Sequence, residues 1–238
     1  MLTIHQPEHL SWLGFFDKVR RADGLVLLDN VQYRKHYFQN RNRIRGPNGP
    51  VWLTVPVKNA GRFGQRIEAV EIDNTGNPRW RDRHLKTLQQ CYARAPFLGD
   101  YAPSLQAILE RDWEALGALN EALIAWLLDA LGIRVEVRRA SELGVTGSGS
   151  GLILEICRRV GASSYLSGVS GRDYLDLAAF AAAGIEVQFQ EFHHPIYRQL
   201  HDPFVPCLSV VDLLMNHGPS SLAMIGGVGV ETLQTVFK

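Results

Sequence analysis

The sequence predicts an α/β fold, a mostly parallel sheet flanked by helices, and three observations carry that expectation. A short apolar strand, an amphipathic helix and an all-apolar strand follow one another within the first thirty residues, the spacing of a parallel βαβ unit. The same rhythm returns after Ile133. Between the two βαβ halves lie residues of different texture: 38–75, which read as an antiparallel hairpin insertion, and 78–131, which read as a helical segment. The organisation expected is a single domain, 1–238.

The elements follow in order. Leu2 to His5 is a short buried strand that Pro7 breaks. Trp12 to Arg21 has helical spacing, with Trp12, Phe15, Phe16 and Val19 on one side. Gly24 to Asp29 is an apolar strand ending in a carboxylate. Arg41 to Arg45 and Val51 to Val57 form a hairpin around Gly46-Pro47-Asn48-Gly49-Pro50. Ile67 to Ile72 alternates and reads as a third antiparallel strand. Trp80 to Tyr92 and Trp113 to Leu131 are helices, the second closed by Gly132. Then come a strand at Ile133 to Val137, a helix at Leu152 to Val160 and a strand at Ser163 to Ser167. A helix at Tyr174 to Ala183, a strand at Ile185 to Phe189 and a last helix near Val210 to Asn216 complete the chain.

Composition narrows the function classes. Net charge is +1, which gives no reason to expect nucleic-acid binding, although local basic clusters still suit anions. The longest apolar stretches are too short to span a membrane, and the N-terminus lacks a signal-peptide pattern, so no membrane insertion is expected. Three cysteines, Cys91, Cys157 and Cys207, fit no zinc or disulfide spacing and point to the reducing cytoplasm. No metal is expected, because the His193-His194 pair and His201 lack an HExxH or CxxC context.

The candidate chemistry gathers at strand ends. In an open α/β sheet, ligands bind beyond the carboxyl ends of the strands. His5 and Asp29 end adjacent parallel strands, and an imidazole beside a carboxylate serves general acid–base chemistry. His5, Asp29 and Gln32 are therefore the catalytic candidates, with Gln6 beside them for substrate. Arg41 and Arg43 alternate with Asn40 and Asn42, so the two guanidiniums share a strand face and suit a phosphate or carboxylate. Two glycine-rich turns, Thr146 to Gly151 and Ser167 to Gly171, precede helices and offer backbone N–H groups, though neither is a P-loop. The second turn brings Ser167, Ser170, Asp173 and Tyr174 to the substrate set, and the His193 to Tyr197 segment adds His194 and Tyr197. Cys157 falls on the apolar side of its helix and reads as core.

Several segments together resemble the WbqC-like protein family: His5-Gln6-Pro7, Trp12 to Lys18, Leu28 to Tyr33, Asn40-Arg41-Asn42, Trp52 to Val57, Ser141 to Gly144, Tyr165 to Gly168 and Pro206 to Leu214. The resemblance runs from residue 2 to about 220, and departs from the family at Thr146 to Gly151, which is often more charged in relatives. Members occur in O-antigen and other surface-polysaccharide gene clusters, and a glycine-transferase role was suggested for the name-giving member. The resemblance thus implies a transferase or ligase that joins an amino-acid (glycyl) or other acyl group to an amino sugar. The layout of Gln6 to Phe15 is also similar to the nucleotidyl-transfer signature of pantothenate synthetase, with Trp12 and Phe15 where that signature has histidines. The acyl donor is left open between an ATP-derived adenylate and a carrier-bound thioester. In this reading His5 deprotonates the amine, Asp29 orients His5, and Arg41 with Arg43 holds an anion. The alternative is a non-catalytic sugar-phosphate or nucleotide-binding protein of the same pathway.

Overall fold

The computed structural model describes residues 1–75 and 80–234. Strands β1 (Leu2–His5) and β2 (Gly24–Leu27) flank helix α1 (Leu13–Arg20). They pair in parallel, with Leu2 opposite Gly24 and His5 opposite Leu27. The hairpin is β3 (Arg41–Gly46) and β4 (Gly49–Thr54). Its turn is possible because position 46 must stay small: a Cβ there would lie 2.5 Å from Val51, and Gly49 holds φ at 129°. Helices α2 (Trp80–Tyr92), α3 (Leu98–Leu109) and α4 (Leu116–Leu131) follow, the last closed by left-handed Gly132. The helical segment was expected from residue 78; residues 78 and 79 lie outside the described residues.

The second half alternates β5 (Glu136–Arg139), α5 (Gly149–Arg159), β6 (Ser164–Ser167), α6 (Leu177–Ala182) and β7 (Glu186–Phe189). The five-stranded sheet runs β5-β2-β1-β6-β7, every pair parallel. The chain therefore builds outward on one side of β1, crosses over, and builds outward on the other. That is the strand order of doubly wound nucleotide-binding folds, and its switch point falls between β1 and β6. The two faces of the sheet bury separate cores. Leu25 and Leu27 join α1, the hairpin and the helical segment, whereas Leu2, Ile4, Val26 and Tyr165 pack with α5 and α6. The chain ends with β8 (His193–Ile196), α7 (Val210–His217), α8 (Ser221–Ile225) and β9 (Glu231–Gln234), the two strands forming a small antiparallel pair.

Three expectations are corrected. Ile67 to Ile72 is not a strand: residues 67–69 form a 3₁₀ turn, with only isolated bridges from Glu71 and Ile72 to Ala115 and Val57. Ile67 and Val70, both fully buried, are three residues apart, the repeat of such a turn, whereas on a strand they would face opposite sides. The helix expected from Tyr174 to Ala183 begins only at Leu177, behind a 3₁₀ turn at 169–173, because Asp176 caps α6 by accepting from Ala179 N at 3.0 Å. The helix expected from Trp113 begins only at Leu116, because Glu114 and Ala115 stay extended to pair with Ile72 and Glu71.

Asn120 on α4 ties the helical segment to the sheet. Its Nδ2 donates to Pro7 O at 3.1 Å and to Gln39 O at 2.7 Å, and the residue is fully buried. Asn120→Ala leaves two buried carbonyls unpaired and is expected to cost about 2–4 kcal/mol in urea unfolding. A loss below roughly 0.5 kcal/mol, the range of surface substitutions, would show that these bonds do not hold the segments together.

Candidate functional site at the carboxyl edge of the sheet

The loop leaving β1 at the switch point buries an unusual set of ionisable groups. His5 donates from Nδ1 to Gln6 O at 3.0 Å, and its ring meets Phe15 edge-on at 5.0 Å. A carbonyl can only accept, so Nδ1 carries the proton and Nε2 offers its lone pair. Burial, then the Lys18 ammonium, lowers the His5 pKa to about 3, so the ring is neutral. Lys18 is 3% exposed and donates to Ile4 O at 3.1 Å. Burial lowers its pKa to about 7, against the charge of Glu8. Glu8 is 5% exposed, its Oε2 has no hydrogen-bond partner, and burial raises its pKa to about 7. Perturbed groups of opposite sign clustered at a switch point make this loop the candidate functional site.

The hairpin holds this loop in place. Among the described residues, three other than glycine have left-handed backbone: Leu10 (φ 45°), His36 (φ 59°) and Cys207 (φ 58°). Each lends its carbonyl to a successive side chain near the start of β3. Arg41 donates to His36 O, Asn42 Nδ2 to Leu10 O at 2.9 Å, and Arg43 to Cys207 O at 3.4 Å. Asn40 continues the pattern by donating to Val55 O at 2.8 Å. Non-glycine residues in this region cost about 1–3 kcal/mol each and persist only where surrounding contacts hold them, often beside active sites. Arg41 and Arg43 do share a face, as alternation required, and their guanidiniums lie 4.3 and 5.5 Å from the Trp52 ring centroid. The Nε of each is buried without a partner.

The other candidates divide into groups. Gln6 accepts from Gln39 Nε2 at 2.6 Å beside His5. Asp29 is buried, and its two oxygens accept from Ser141 N at 2.9 Å and Ser141 Oγ at 2.6 Å. The backbone bond to Gln6, rather than Asp29, thus sets the His5 tautomer. Asp29 instead lines a cavity of about 270 Å³ with Pro7, Arg139, Ser141, Glu121 and Glu142. Gln32 is exposed and bridges Arg66. Ser167 is buried at the end of β6, so close to Gly171 that a Cβ there would lie 2.1 Å from its Oγ. Ser170, Asp173 and Tyr174 are exposed along the 3₁₀ turn that follows.

His194 and Tyr197 belong to a separate buried network. His194 Nδ1 donates to Pro195 O at 2.8 Å, and Nε2 accepts from Cys207 N at 3.1 Å. Tyr197, Tyr92 and Gln199 all donate to Asp212, at 2.9, 2.8 and 2.8 Å. Burial raises the Asp212 pKa, and it raises those of both tyrosines well above their ordinary value. Cys91, Cys157 and Cys207 are free thiols. Among the described residues, no group of three or more His, Cys, Asp or Glu side chains could hold a metal ion, and no helix is long and apolar enough to cross a membrane.

These features define a doubly wound α/β protein with a candidate ligand site at the switch point of its sheet. The model of the WbqC-like protein family matches residues 6–224, and the chain belongs to that family. It is also 32% identical over 219 residues to the "Uncharacterized protein Rv1507c" of Mycobacterium tuberculosis (strain ATCC 25618 / H37Rv), a match covering 91% of this chain and 94% of that one. No solved structure matches.

Glu8 and Lys18 were not among the sequence candidates. The available signal was α1 itself, where Asp17 and Lys18 sit inside a run, Leu13 to Val19, that is buried on every side. Two buried imidazoles, His9 next to Glu8 in the chain and His84 on α2, lie against one another. His84 Nδ1 donates to Trp80 O at 2.9 Å, and its Nε2 meets His9 Nε2 at 3.3 Å. Burial holds His9 at about 3 and His84 at about 4.

These depressed values set an acid limit on stability. Below the ordinary 6.5, the unfolded chain protonates His5, His9 and His84, while the folded chain resists until about 3 to 4. Glu8 offsets one proton, being protonated in the fold below about 7 but in the unfolded chain only below 4.5. Net uptake on unfolding is near two protons, so stability should fall by about 2–3 kcal/mol per pH unit between roughly pH 6 and 5. Urea melts across that range measure the slope; a flat profile would mean that the histidines charge in place.

Proposed function

We propose that this protein catalyses amide formation between an amino-acid (glycyl) or other acyl group and an amino sugar of surface-polysaccharide biosynthesis. The observation that carries the catalytic part is the neutral, tautomer-fixed His5 beside buried Lys18 and Glu8 at the switch point. The acyl and sugar chemistry is supported by the family to which the chain belongs. In this reading the sugar amine attacks the acyl carbonyl, and the C–N bond forms. The bond to the leaving group breaks, releasing AMP or a carrier thiol, and the amine proton passes to His5 Nε2. Asp29 and Ser141 line the neighbouring cavity, and Arg41 with Arg43 holds an anionic group of a substrate. Trp52 beneath the two guanidiniums also favours the alternative, sugar-phosphate binding without turnover.

The test is incubation with ATP, glycine and a nucleotide-linked amino sugar, followed by mass spectrometry for AMP and the amide. His5→Gln should lower turnover about 10²–10⁴-fold with melting temperature and substrate affinity kept. Near-wild-type turnover in a folded variant would remove His5 from the mechanism. Because cationic Lys18 disfavours an imidazolium, activity should rise through about pH 7 as Lys18 loses its proton, and Lys18→Met should abolish that limb. Arg41→Lys keeps the charge but loses the fork, so binding of the phosphorylated substrate should weaken. Equal affinity in that variant would exclude Arg41 as an anion ligand.

A further inference from the structure

Charge is distributed unevenly along this chain. Residues 30–66 hold eight of the 25 Lys and Arg residues and none of the 24 Asp and Glu residues. Arg45 is buried, donating to the carbonyls of Gly46, His201, Asp202 and Pro203. Lys58 and Arg62 share Glu71, and Arg66 reaches Glu68. Arg34, Lys35, Arg41 and Arg43 have no ion-pair partner among the described residues.

Exposed aromatic rings are interleaved with these cations. Tyr37 is 41% exposed, Trp52 44% and Phe63 92%. Phe63 stands at the tip of a loop flanked by left-handed Gly61 and Gly64. The surface is continuous. Tyr33 N donates to Gln65 O at 2.9 Å, joining the Phe63 loop to the 33–38 loop. Arg34 lies over Tyr37, Tyr37 packs on Phe38, and Phe38 faces Trp52 at 6.2 Å. Gln39 then reaches Gln6, so this surface borders the candidate site.

We infer that this face docks the protein on an anionic lipid bilayer, as a peripheral contact with Phe63 at headgroup level. Aromatic rings favour the membrane–water interface, and basic side chains near an anionic leaflet add attraction that salt screens. A nucleic-acid duplex would satisfy the cations through its phosphates, but its bases are already stacked and leave a phenyl ring that is 92% exposed without a partner, whereas the boundary of headgroups and acyl chains takes it in. Unpaired bases would stack on the same ring, and the oligonucleotide arm of the test below separates that case. Docking here would hold the carboxyl edge of the sheet against the membrane surface, within reach of a lipid-linked substrate.

Flotation of the full chain with vesicles tests this. Phosphatidylcholine vesicles containing phosphatidylglycerol should carry the protein, pure phosphatidylcholine vesicles should not, and added salt should release it. Phe63→Ser should weaken binding about tenfold at unchanged melting temperature, and Phe63→Trp should restore it. The double variant Arg34→Glu, Lys35→Glu should lose tenfold or more. Three results would overturn the inference: no association with anionic vesicles at low salt, binding indifferent to these variants, or tighter binding to a DNA oligonucleotide than to the vesicles.

Discussion

Hydrogen bonds from the side chains of Asn40 to Arg43 to backbone carbonyls hold the amino-terminal loops in conformations they would not otherwise keep. Three of these four acceptors belong to residues whose φ is left-handed without a glycine to permit it, and the fourth, Val55, directly follows the hairpin's outgoing strand. Leu10 is the central case. It lies in the loop that leaves β1, it is fully buried, and its left-handed turn directs the chain into α1, which delivers Lys18 to the switch point. The hairpin insertion thus acts as a clamp on the loop that carries the candidate chemistry. The clamp reaches further, because Ser209 N donates to Arg43 O and Val210 N to Ser11 O, which sets the start of α7 against the same loop.

The arginines of β3 illustrate how one residue type serves two needs. The guanidinium plane stacks on Trp52 while one NH2 group donates to a carbonyl, and a fork with five donors has others left over. Lysine in either place would have no plane to stack. Alternation along the strand puts Arg41 and Arg43 on the Trp52 side and Asn42 with Ile44 on the buried side, so the polar and packing roles do not compete.

The sheet was legible in the sequence because its signal is local. Leu2 to His5, Gly24 to Leu27 and Ser164 to Ser167 are short buried strands separated by amphipathic helices, and periodicity alone finds them. The 3₁₀ turn at 67–69 was not legible, since buried Val70 and Ile72 do keep a strand's spacing of two, and within a six-residue window that hides the spacing of three between Ile67 and Val70. His5 was found at the candidate site because a strand end can be read from sequence. Its tautomer was not, since a backbone carbonyl fixes it and no side-chain pattern announces that. Asp29 was read as its partner from the same adjacency of strand ends, yet Ser141, 112 residues away, takes both carboxylate oxygens. Glu8 and Lys18 escaped notice because burial of a charge depends on what packs over it, here the loops and helices of both halves.

The low net charge is the last instance of the same limit. A total of +1 argues against a polyanionic partner only if the charges are mixed, and in this chain they are segregated by segment. The fold then sorts the segregated set by environment. Arg45 is drawn inward and satisfied by four carbonyls, Lys58, Arg62 and Arg66 are matched with glutamates just past the segment, and Arg34, Arg41 and Arg43 stand beside aromatic rings. Lys18 and Glu8 follow a different rule. They lie near enough to shift one another's pKa, yet no ion pair within 4.0 Å joins them, and Glu8 Oε2 stays unpartnered in the interior. A fold selected only for stability would close that pair or replace it with apolar side chains, since an unsatisfied buried group costs about 1–3 kcal/mol or more. Its persistence at the switch point, in a loop already strained at Leu10, is the pattern expected where local stability has yielded to function.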